Sequence, residues 1–139
     1  INDSYNSSPE SAEAALRTLV LFAQERGGQS WAFLGKMHEL GESSADRHAD
    51  IGTLASELGI DHLVCIGAPE YSANLAKSNA MAIHLCANKE AALQLTQEMR
   101  AGDVVLVKAS RAEKFEEIAQ GIQSQIALLI AENKEEGER

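Results

Sequence analysis

Charged and polar side chains concentrate in three short segments, and each segment follows a stretch that is predicted to be a strand. The segments read Asp-Ser-Tyr-Asn-Ser-Ser-Pro (3–9), Gly-Lys-Met-His-Glu-Leu-Gly-Glu (35–42) and Lys-Ala-Ser-Arg (108–111). Because parallel α/β sheets bind ligands at the carboxyl ends of their strands, we expect the three segments to meet at one edge. Lys36, Lys108 and Arg111 would form a basic rim there, which suits an anionic ligand. The alternative is that these are ordinary loop and helix-capping residues.

Several motifs that would carry a complete reaction are missing. The stretch 30–37 approaches a phosphate-binding loop, but it lacks the first glycine and ends in Gly-Lys-Met without the metal-binding hydroxyl. No glycine-rich dinucleotide fingerprint and no Gly-x-Ser-x-Gly elbow occurs. The four histidines show no His-x-x-x-His spacing, so no metal site is predicted. The chain could therefore assist phosphoryl chemistry without housing all of it, and we predict no catalytic residue within it.

The composition fits one folded domain and disfavours several classes of protein. The 139 residues are 45% hydrophobic and carry 12 basic against 21 acidic side chains, which gives a formal charge of −9. This charge disfavours nucleic acid and anionic membranes as partners, because lysine and arginine supply most of that affinity. No apolar run approaches the roughly 20 residues of a membrane helix. Cys65 and Cys86 lie in apolar stretches that favour buried free thiols. A cytoplasmic domain is expected, and its first residue, Ile1, indicates an origin within a longer chain.

An alternation of β-branched runs and helical periods predicts the elements that carry the three segments. Helices are predicted from Pro9 to the Gly27-Gly28 stop, from a capping box at Ser43 and Asp46 to Leu58, and over 69–78, 89–100 and 112–131. Strands are predicted at 31–34, 62–66, 81–85 and 104–107, with a strand end at 1–4. The fold class is α/β: a three-layer Rossmann-like domain with a mostly parallel sheet and helices on both faces. The domain is expected to span 1–131, with 132–139 as a charged, frayed tail.

Five motifs occur in the order expected of one family. They are Asp3-Ser4-Tyr5-Asn6-x-x-Pro9, then Gly35-x-Met37-x-Glu39-Leu40-Gly41-Glu42, then His48 with Gly52 four residues later, then Gly59-Ile60-Asp61, and finally Gly102-Asp103-Val104-Val105-Leu106-Val107-Lys108-x-Ser110-Arg111. Together they cover nearly the whole chain, to about residue 122. The sequence resembles the carboxyl-terminal domain of the Mur ligases of the MurF type, the UDP-N-acetylmuramoyl-tripeptide–D-alanyl-D-alanine ligases.

The resemblance implies one part of an ATP- and Mg²⁺-dependent amide ligase of peptidoglycan synthesis. In this family the carboxylate of UDP-N-acetylmuramoyl-tripeptide is phosphorylated by ATP, and the amine of D-alanyl-D-alanine then displaces phosphate. The carboxyl-terminal domain closes over a central domain that carries the phosphate loop and holds most of the ATP and Mg²⁺. The amino-terminal and central domains are absent from this chain, so we expect it to be inactive by itself.

The resemblance also implies roles for residues of the first and last segments. Asp3 would hydrogen-bond the ATP ribose, because a carboxylate accepts from both hydroxyls of a diol, and Tyr5 and Asn6 would lie beside the nucleotide. Lys108, Ser110 and Arg111 would bind D-alanyl-D-alanine, whose carboxylate suits a bidentate guanidinium.

The middle segment and the following helix supply further contributors. Lys36, Glu39 and Glu42 are candidates to orient substrate, with helix capping as the alternative for the two glutamates. His48 is expected to be a structural histidine within a helix.

The sequence departs from the family pattern at three places. Lys36 stands where the family usually has aspartate, which reverses a charge. Ser7 and Ser8 replace an alanine and an asparagine, although Ser8 still serves as a helix cap. Ala109 replaces a glycine, which would shift the loop if that position needs a positive φ.

Two other functions are compatible with the sequence. One is a sister ligase that adds a different amino acid or glutamate, although the Asp-Ser-Tyr-Asn segment argues against it. The other is a non-catalytic α/β binding or regulatory module of flavodoxin or receiver shape. A receiver needs a phosphorylatable aspartate at the end of its third strand, and Val64-Cys65-Ile66-Gly67 supplies none.

Overall fold

Helices and strands alternate along the part of the chain that the structure describes. The computed structural model describes residues 8–37, 40–76 and 80–108 and the backbone of 127–131. Its helices are α1 (Pro9–Arg26), α2 (Ser44–Leu58) and α3 (Lys89–Leu93). Its strands are β1 (Ser30–Gly35), β2 (His62–Ile66), β3 (Ala82–Cys86), β4 (Val104–Lys108) and β5 (Ala127–Ala131). Short 3₁₀ turns occupy Gly41–Ser43, Pro69–Ser72 and Gln94–Glu98.

The sheet is parallel at every pairing and has the order β3-β2-β1-β4-β5. The chain builds outward from β1 through β2 to β3, then returns to the other side of β1 as β4. This is the strand order of a Rossmann-like sheet, and its switch point lies between β1 and β4. The predicted α/β class with a parallel sheet is confirmed.

Alternate strand residues face two separate hydrophobic clusters, as expected of a sheet covered on both sides. Ala32, Leu34, Leu63, Cys65 and Leu106 pack with α1 and α2 on one face. Trp31, Phe33, Val64, Val105 and Val107 pack with Ala92 of α3 and with Leu93, Leu95 and Met99 on the other face. The three-layer prediction is therefore also confirmed.

Helix α1 begins where the sequence predicts, because its first turn is capped locally. The Ser8 hydroxyl oxygen accepts the Ser11 N–H at 3.1 Å, the Ser8 N–H donates to Ser11 Oγ, and Pro9 occupies the first turn. Helix α2 ends at Leu58 before Gly59, again as predicted. Their neighbours show that the two helices run in the same direction. Residues 9–13 border residues 47–54, whereas residues 20–28 border residues 58–61.

The prediction of a helix over 112–131 is wrong at its end, because residues 127–131 form strand β5. The run Ala-Leu-Leu-Ile-Ala is apolar throughout, and such a run fits a buried strand as well as one helix face. Pairing with β4, from Val104 with Ala127 to Lys108 with Ala131, decides the outcome. The rest of that predicted helix, the predicted strand end at 1–4 and the tail at 132–139 lie outside the described residues.

The predicted capping box at Ser43 and Asp46 is also wrong. An N-cap residue needs an extended backbone, but Ser43 has φ −88° and ψ 8° after a turn that Gly41 opens at φ 63°. The Ser43 hydroxyl donates instead to the Leu40 carbonyl at 2.9 Å.

Two predicted helices are shorter than the sequence indicates. The helix over 89–100 is α-helical only to Leu93, and the Thr96 hydroxyl donates to the Leu93 carbonyl at 2.8 Å, a local bond that competes with helix continuation. The helix over 69–78 is a 3₁₀ turn at Pro69–Ser72.

Candidate functional site

The switch point brings the ends of β1 and β4 together. Leu34 pairs with Lys108, so the residues that follow Leu34 and the last residue of β4 lie at the same carboxyl edge. Two of the three polar segments singled out in the sequence therefore meet, through Lys36 and Lys108. Because α1 and α2 run in the same direction and α2 follows β1, the start of α1 also lies toward this edge.

Lys108 is a buried cation, with 8% of its surface exposed. Burial removes water from its ammonium group and lowers the pKa of Lys108 below its ordinary value. Among the described residues, Lys108 forms no ion pair with a carboxylate. A desolvated cation gains most from an anionic partner, so this position suits a carboxylate or phosphate group.

Backbone hydrogen bonds from two buried side chains hold the segment that follows β1. The Tyr71 hydroxyl donates to the Gly35 carbonyl at 2.6 Å, and the Met37 N–H donates to His48 Nε2 at 2.9 Å. The other ring nitrogen of His48, Nδ1, lies 2.7 Å from the Ser44 carbonyl. Since Nε2 accepts a hydrogen bond from the Met37 N–H, Nδ1 carries the ring hydrogen and donates it to the Ser44 carbonyl. The expectation that His48 is a structural histidine within a helix agrees with these contacts.

The glycine four residues after His48, Gly52, is required by close packing against the turn that carries Tyr71. The two residues lie one turn apart on α2, and a Cβ atom at position 52 would lie 1.7 Å from the Tyr71 carbonyl oxygen. Only a glycine lets the turn at Pro69–Ser72 approach α2 this closely. The rings of His48 and Tyr71 then meet edge to face, with centroids 4.9 Å apart. Burial raises the pKa of the Tyr71 hydroxyl well above its ordinary range, so it remains a donor.

The other predicted site residues are distributed as follows. Lys36 and Glu42 are exposed, and Glu42 lies in the 3₁₀ turn that precedes α2 without a side-chain hydrogen bond that caps that turn or the helix. Six residues lie outside the described part of the chain: Asp3, Tyr5, Asn6, Glu39, Ser110 and Arg111.

The opposite, amino edge of the sheet is held by two aspartates. Asp103 accepts three hydrogen bonds: from the Gln29 N–H at 2.9 Å, the Trp31 indole N–H at 3.0 Å and the Arg100 N–H at 3.0 Å. Asp61 accepts the Ser30 N–H at 2.9 Å and returns its own N–H to Ser30 Oγ. These aspartates belong to the Gly-Ile-Asp and Gly-Asp motifs of the sequence, which therefore build the scaffold at this edge.

Tyr71, Asp61 and Asp103 were not singled out as functional or scaffold residues in the sequence. The two aspartates carry a signal, because each follows a glycine by one or two residues and directly precedes a strand. Tyr71 carries none, because its partner, Gly35, is 36 residues away.

A small apolar cavity of about 220 Å³ lies at the carboxyl ends of β2 and β3. Its lining includes Cys65, Gly67, Pro69, Leu85 and Cys86. Both cysteines are free, as predicted, but only Cys65 is buried; Cys86 is half-buried, because it ends β3 at the edge of the sheet. Burial raises the pKa of Cys65 to about 12. A thiol with such a pKa is not a nucleophile near neutral pH.

The described residues contain neither a membrane-spanning helix nor a grouped set of metal ligands. No described helix is long and apolar enough to cross a membrane. Within the described ranges, no three histidine, cysteine, aspartate or glutamate side chains are grouped so that they could hold a metal ion.

Both the sequence and the fold match known proteins. The profile of the family described as "Mur ligase, glutamate ligase domain" matches residues 1–111. A UDP-N-acetylmuramoyl-tripeptide–D-alanyl-D-alanine ligase of Mycobacterium tuberculosis is 38% identical over 142 aligned residues, covering 88% of this chain and 28% of that protein. The ligase of the same name from Bacillus subtilis is 30% identical, covering 88% of this chain and 27% of that protein.

The structural matches have the same family name. The MurF ligase from Thermotoga maritima in complex with ADP superimposes with a TM-score of 0.64 at 30% identity, covering 90% of this chain and 28% of that one. MurF from Acinetobacter baumannii gives a TM-score of 0.64 at 28% identity, covering 85% of this chain and 26% of that one. The chain thus spans little more than a quarter of the length of these relatives.

Proposed function

The chain belongs to the Mur ligase family as its glutamate ligase domain, matched over residues 1–111, and from that membership we propose that it serves an ATP-dependent ligase that joins D-alanyl-D-alanine to UDP-N-acetylmuramoyl-tripeptide. The names of its relatives in Mycobacterium tuberculosis and Bacillus subtilis support this choice among the Mur reactions. Within that ligase, the domain binds the incoming dipeptide and closes over the nucleotide. The proposed compartment is the cytoplasm.

The observation that carries the proposal is the buried side chain of Lys108 at the switch point. It lies at the edge where α/β sheets bind ligands, its pKa is lowered by burial, and it forms no ion pair among the described residues. The carboxylate of D-alanyl-D-alanine would supply the missing negative charge. Ser110 and Arg111, two and three residues further along the chain, are proposed to complete the site, with Arg111 as a bidentate partner.

Holding the dipeptide by its carboxylate also serves the chemistry. The tripeptide carboxylate takes a phosphoryl group from ATP, and ADP leaves. The dipeptide nitrogen then forms a bond to the acyl carbon, the carbon–oxygen bond to phosphate breaks, and the nitrogen loses its proton. An anchor at the far end of the dipeptide fixes where its amine lies, and correct placement is a large part of the rate of such a step.

The nucleotide is proposed to contact residues that precede α1. Asp3, Tyr5 and Asn6 come shortly before the first turn of that helix, and the start of α1 lies toward the carboxyl edge. The solved relative with ADP supports nucleotide binding in the family. Because the described residues group no metal ligands, Mg²⁺ is proposed to bind with ATP on the central domain of the parent ligase. Lys36, Glu39 and Glu42 are proposed as further contributors from the loop after β1.

The test is steady-state ligation by the full-length protein that carries this domain. We expect release of ADP only when both UDP-N-acetylmuramoyl-tripeptide and D-alanyl-D-alanine are present, and no turnover by residues 1–139 alone. Replacing Arg111 with alanine should raise the KM for the dipeptide at least about tenfold more than the KM for ATP. The charge-matched control is Arg17→Met, which removes a half-exposed cation whose ion pair among the described residues is with Glu13, on the same helix. Equal effects of Arg111→Ala on both KM values would contradict the assignment, and turnover with glutamate or another single amino acid would point to a sister ligase.

A further inference from the structure

Hydrogen bonds with two ring side chains, one in α2 and one in the 3₁₀ turn after β2, hold the segment Gly35–Met37 at the end of β1. The Tyr71 hydroxyl donates to the Gly35 carbonyl, and His48 Nε2 accepts a hydrogen bond from the Met37 N–H. Tyr71 has 1% of its surface exposed and His48 has none. The Met37–His48 bond is buried and the Tyr71–Gly35 bond is partly buried. Limited access of water strengthens such bonds and makes a rearrangement of this segment costly.

The residue between these two anchors is Lys36, and its side chain is exposed. With Gly35 and Met37 both held by hydrogen bonds, the backbone of Lys36 has little freedom, whereas its exposed side chain forms no ion pair among the described residues. The Lys36 backbone is therefore held in place, while its ammonium group lies at the end of an exposed side chain.

Lys36 lies close to Lys108. Leu34 pairs with Lys108 across the switch point, and Lys36 follows Leu34 by two residues. Lys36 directly follows the last residue of β1, and Lys108 is the last residue of β4. Two side chains of this length can therefore reach a single anionic group from neighbouring strand ends.

We propose that His48 and Tyr71 are positioning residues that fix the turn Gly35–Met37 so that Lys36, together with Lys108, binds the carboxylate of the incoming dipeptide. The inference rests on the proposed function and extends it to residues for which the sequence indicated no such joint role. His48 and Tyr71 also contact each other, and Gly52 permits that contact, so α2 and the turn after β2 support the site as one unit.

The same unit explains why both rings must keep one hydrogen-bonding state. His48 can accept from Met37 only while Nε2 carries no hydrogen, and its Nδ1 bond to the Ser44 carbonyl fixes that tautomer. Tyr71 stays protonated because burial raises its pKa far above neutral.

The experiment is a double-mutant cycle in the full-length ligase, with KM for D-alanyl-D-alanine, KM for ATP and kcat measured for each variant. Lys36→Met should raise the dipeptide KM about tenfold and leave the ATP KM unchanged. Tyr71→Phe, which removes one hydroxyl and keeps the ring, should raise the dipeptide KM about fivefold. In the Lys36→Met background, Tyr71→Phe should add nothing further, because it acts through Lys36.

A second cycle uses His48, so that the inference does not depend on one variant folding. His48→Gln keeps an acceptor near the position of Nε2 and should stay within about twofold of wild type, whereas His48→Leu should match Tyr71→Phe. Ser72→Ala is the control, because it removes a hydroxyl from the same turn that bonds only locally, to the Pro69 carbonyl.

The outcomes separate the inference from the proposed function. A wild-type ligase that does not join D-alanyl-D-alanine would overturn the proposed function and the inference with it. An active wild type in which Tyr71→Phe and His48→Leu raise the dipeptide KM equally with and without Lys36 would overturn the inference alone. A change confined to the ATP KM would also overturn it, since the lysine would then serve the nucleotide.

Discussion

The two edges of the sheet use charged side chains in opposite ways. At the amino edge, the two carboxylates of Asp61 and Asp103 are turned inward and accept hydrogen bonds from the backbone and from Trp31. At the carboxyl edge, the Lys108 side chain is buried and forms no ion pair among the described residues, and Lys36 is exposed just beyond the neighbouring strand end. A charge whose partners lie within the domain contributes to stability, whereas a buried charge without a partner lowers stability and is available to a ligand. The comparison therefore assigns the amino edge to the scaffold and the carboxyl edge to function.

The largest expected effect on stability is at the amino edge, where Asp103→Ala would leave three N–H donors without their acceptor. Asp103 is 3% exposed, and its loss would leave the Gln29, Trp31 and Arg100 donors without this acceptor. The bond from the Trp31 indole N–H is buried, so water replaces it least well. We expect a loss of about 3 kcal/mol or more in the free energy of unfolding. Urea denaturation followed by the fluorescence of Trp31, the single tryptophan, would measure it. Asp50→Ala, which removes an exposed carboxylate paired with Arg47, is the control and should cost under about 0.5 kcal/mol. A small effect of Asp103→Ala would mean that this edge is not the scaffold.

The next largest loss of stability is expected from alanine at two glycines, Gly28 at the amino edge and Gly52 beside the turn that carries Tyr71. A Cβ atom at Gly28 would lie 2.1 Å from the Gly102 carbonyl oxygen, and one at Gly52 would lie 1.7 Å from the Tyr71 carbonyl oxygen. Both alanine variants should lose about 2–3 kcal/mol of stability, because backbone must move in each case.

The two glycine variants should differ in activity. Gly52→Ala displaces the turn that carries Tyr71, so the folded ligase should have a raised dipeptide KM, whereas folded Gly28→Ala should keep its KM. Equal KM values for the two variants would remove the distinction between the edges.

The smallest expected effect is the pH dependence of stability that arises from His62, in the amino half of the sheet. The His62 ring stacks on Trp31 with centroids 3.6 Å apart, and its Nδ1 lies 3.2 Å from Nε2 of His84. Burial, and then the charge of His84, lower the pKa of His62 below 6.5, although Asp61, Asp103 and Glu98 act in the opposite direction. The folded state therefore binds fewer protons at this site than the unfolded chain. The resulting stability is complete above about pH 6.5 and is lost as the pH falls through the lower, folded-state value.

Denaturation between pH 8 and pH 5 would reveal this dependence. His62→Gln should flatten part of the curve, because the group that titrates is gone. An unchanged curve would show that His62 and His84 do not limit stability in this range.

Most helices and strands could be predicted from the sequence because their signals are local. Ser8 and Pro9 start α1, and the run from Val104 to Val107 is apolar enough to be a buried strand. The prediction for Ala127–Ala131 was wrong because an apolar run of five residues fits either a helix or a strand. Only the pairing with β4 decides that it is a strand.

The site was predictable only in part. Lys36 and Lys108 follow from strand order, because the ends of parallel strands share an edge. The contribution of Tyr71 could not be read from local pattern, since its bond to Gly35 spans 36 residues. Asp103 reaches Gln29 across 74 residues, and a glycine-aspartate pair before a strand is only a weak sign of that role.

The most direct test of the difference between the two edges is Lys108→Met, with the unfolding midpoint and the dipeptide KM measured on the same variant. Lys108 is buried and has no ion pair among the described residues, so its replacement by an apolar side chain of similar length should leave the midpoint unchanged or raise it. If Lys108 binds the dipeptide carboxylate, the KM for D-alanyl-D-alanine should rise at least about tenfold while the KM for ATP stays constant. A lower midpoint with an unchanged dipeptide KM would show instead that Lys108 is part of the scaffold, and the assignment of the carboxyl edge would be wrong.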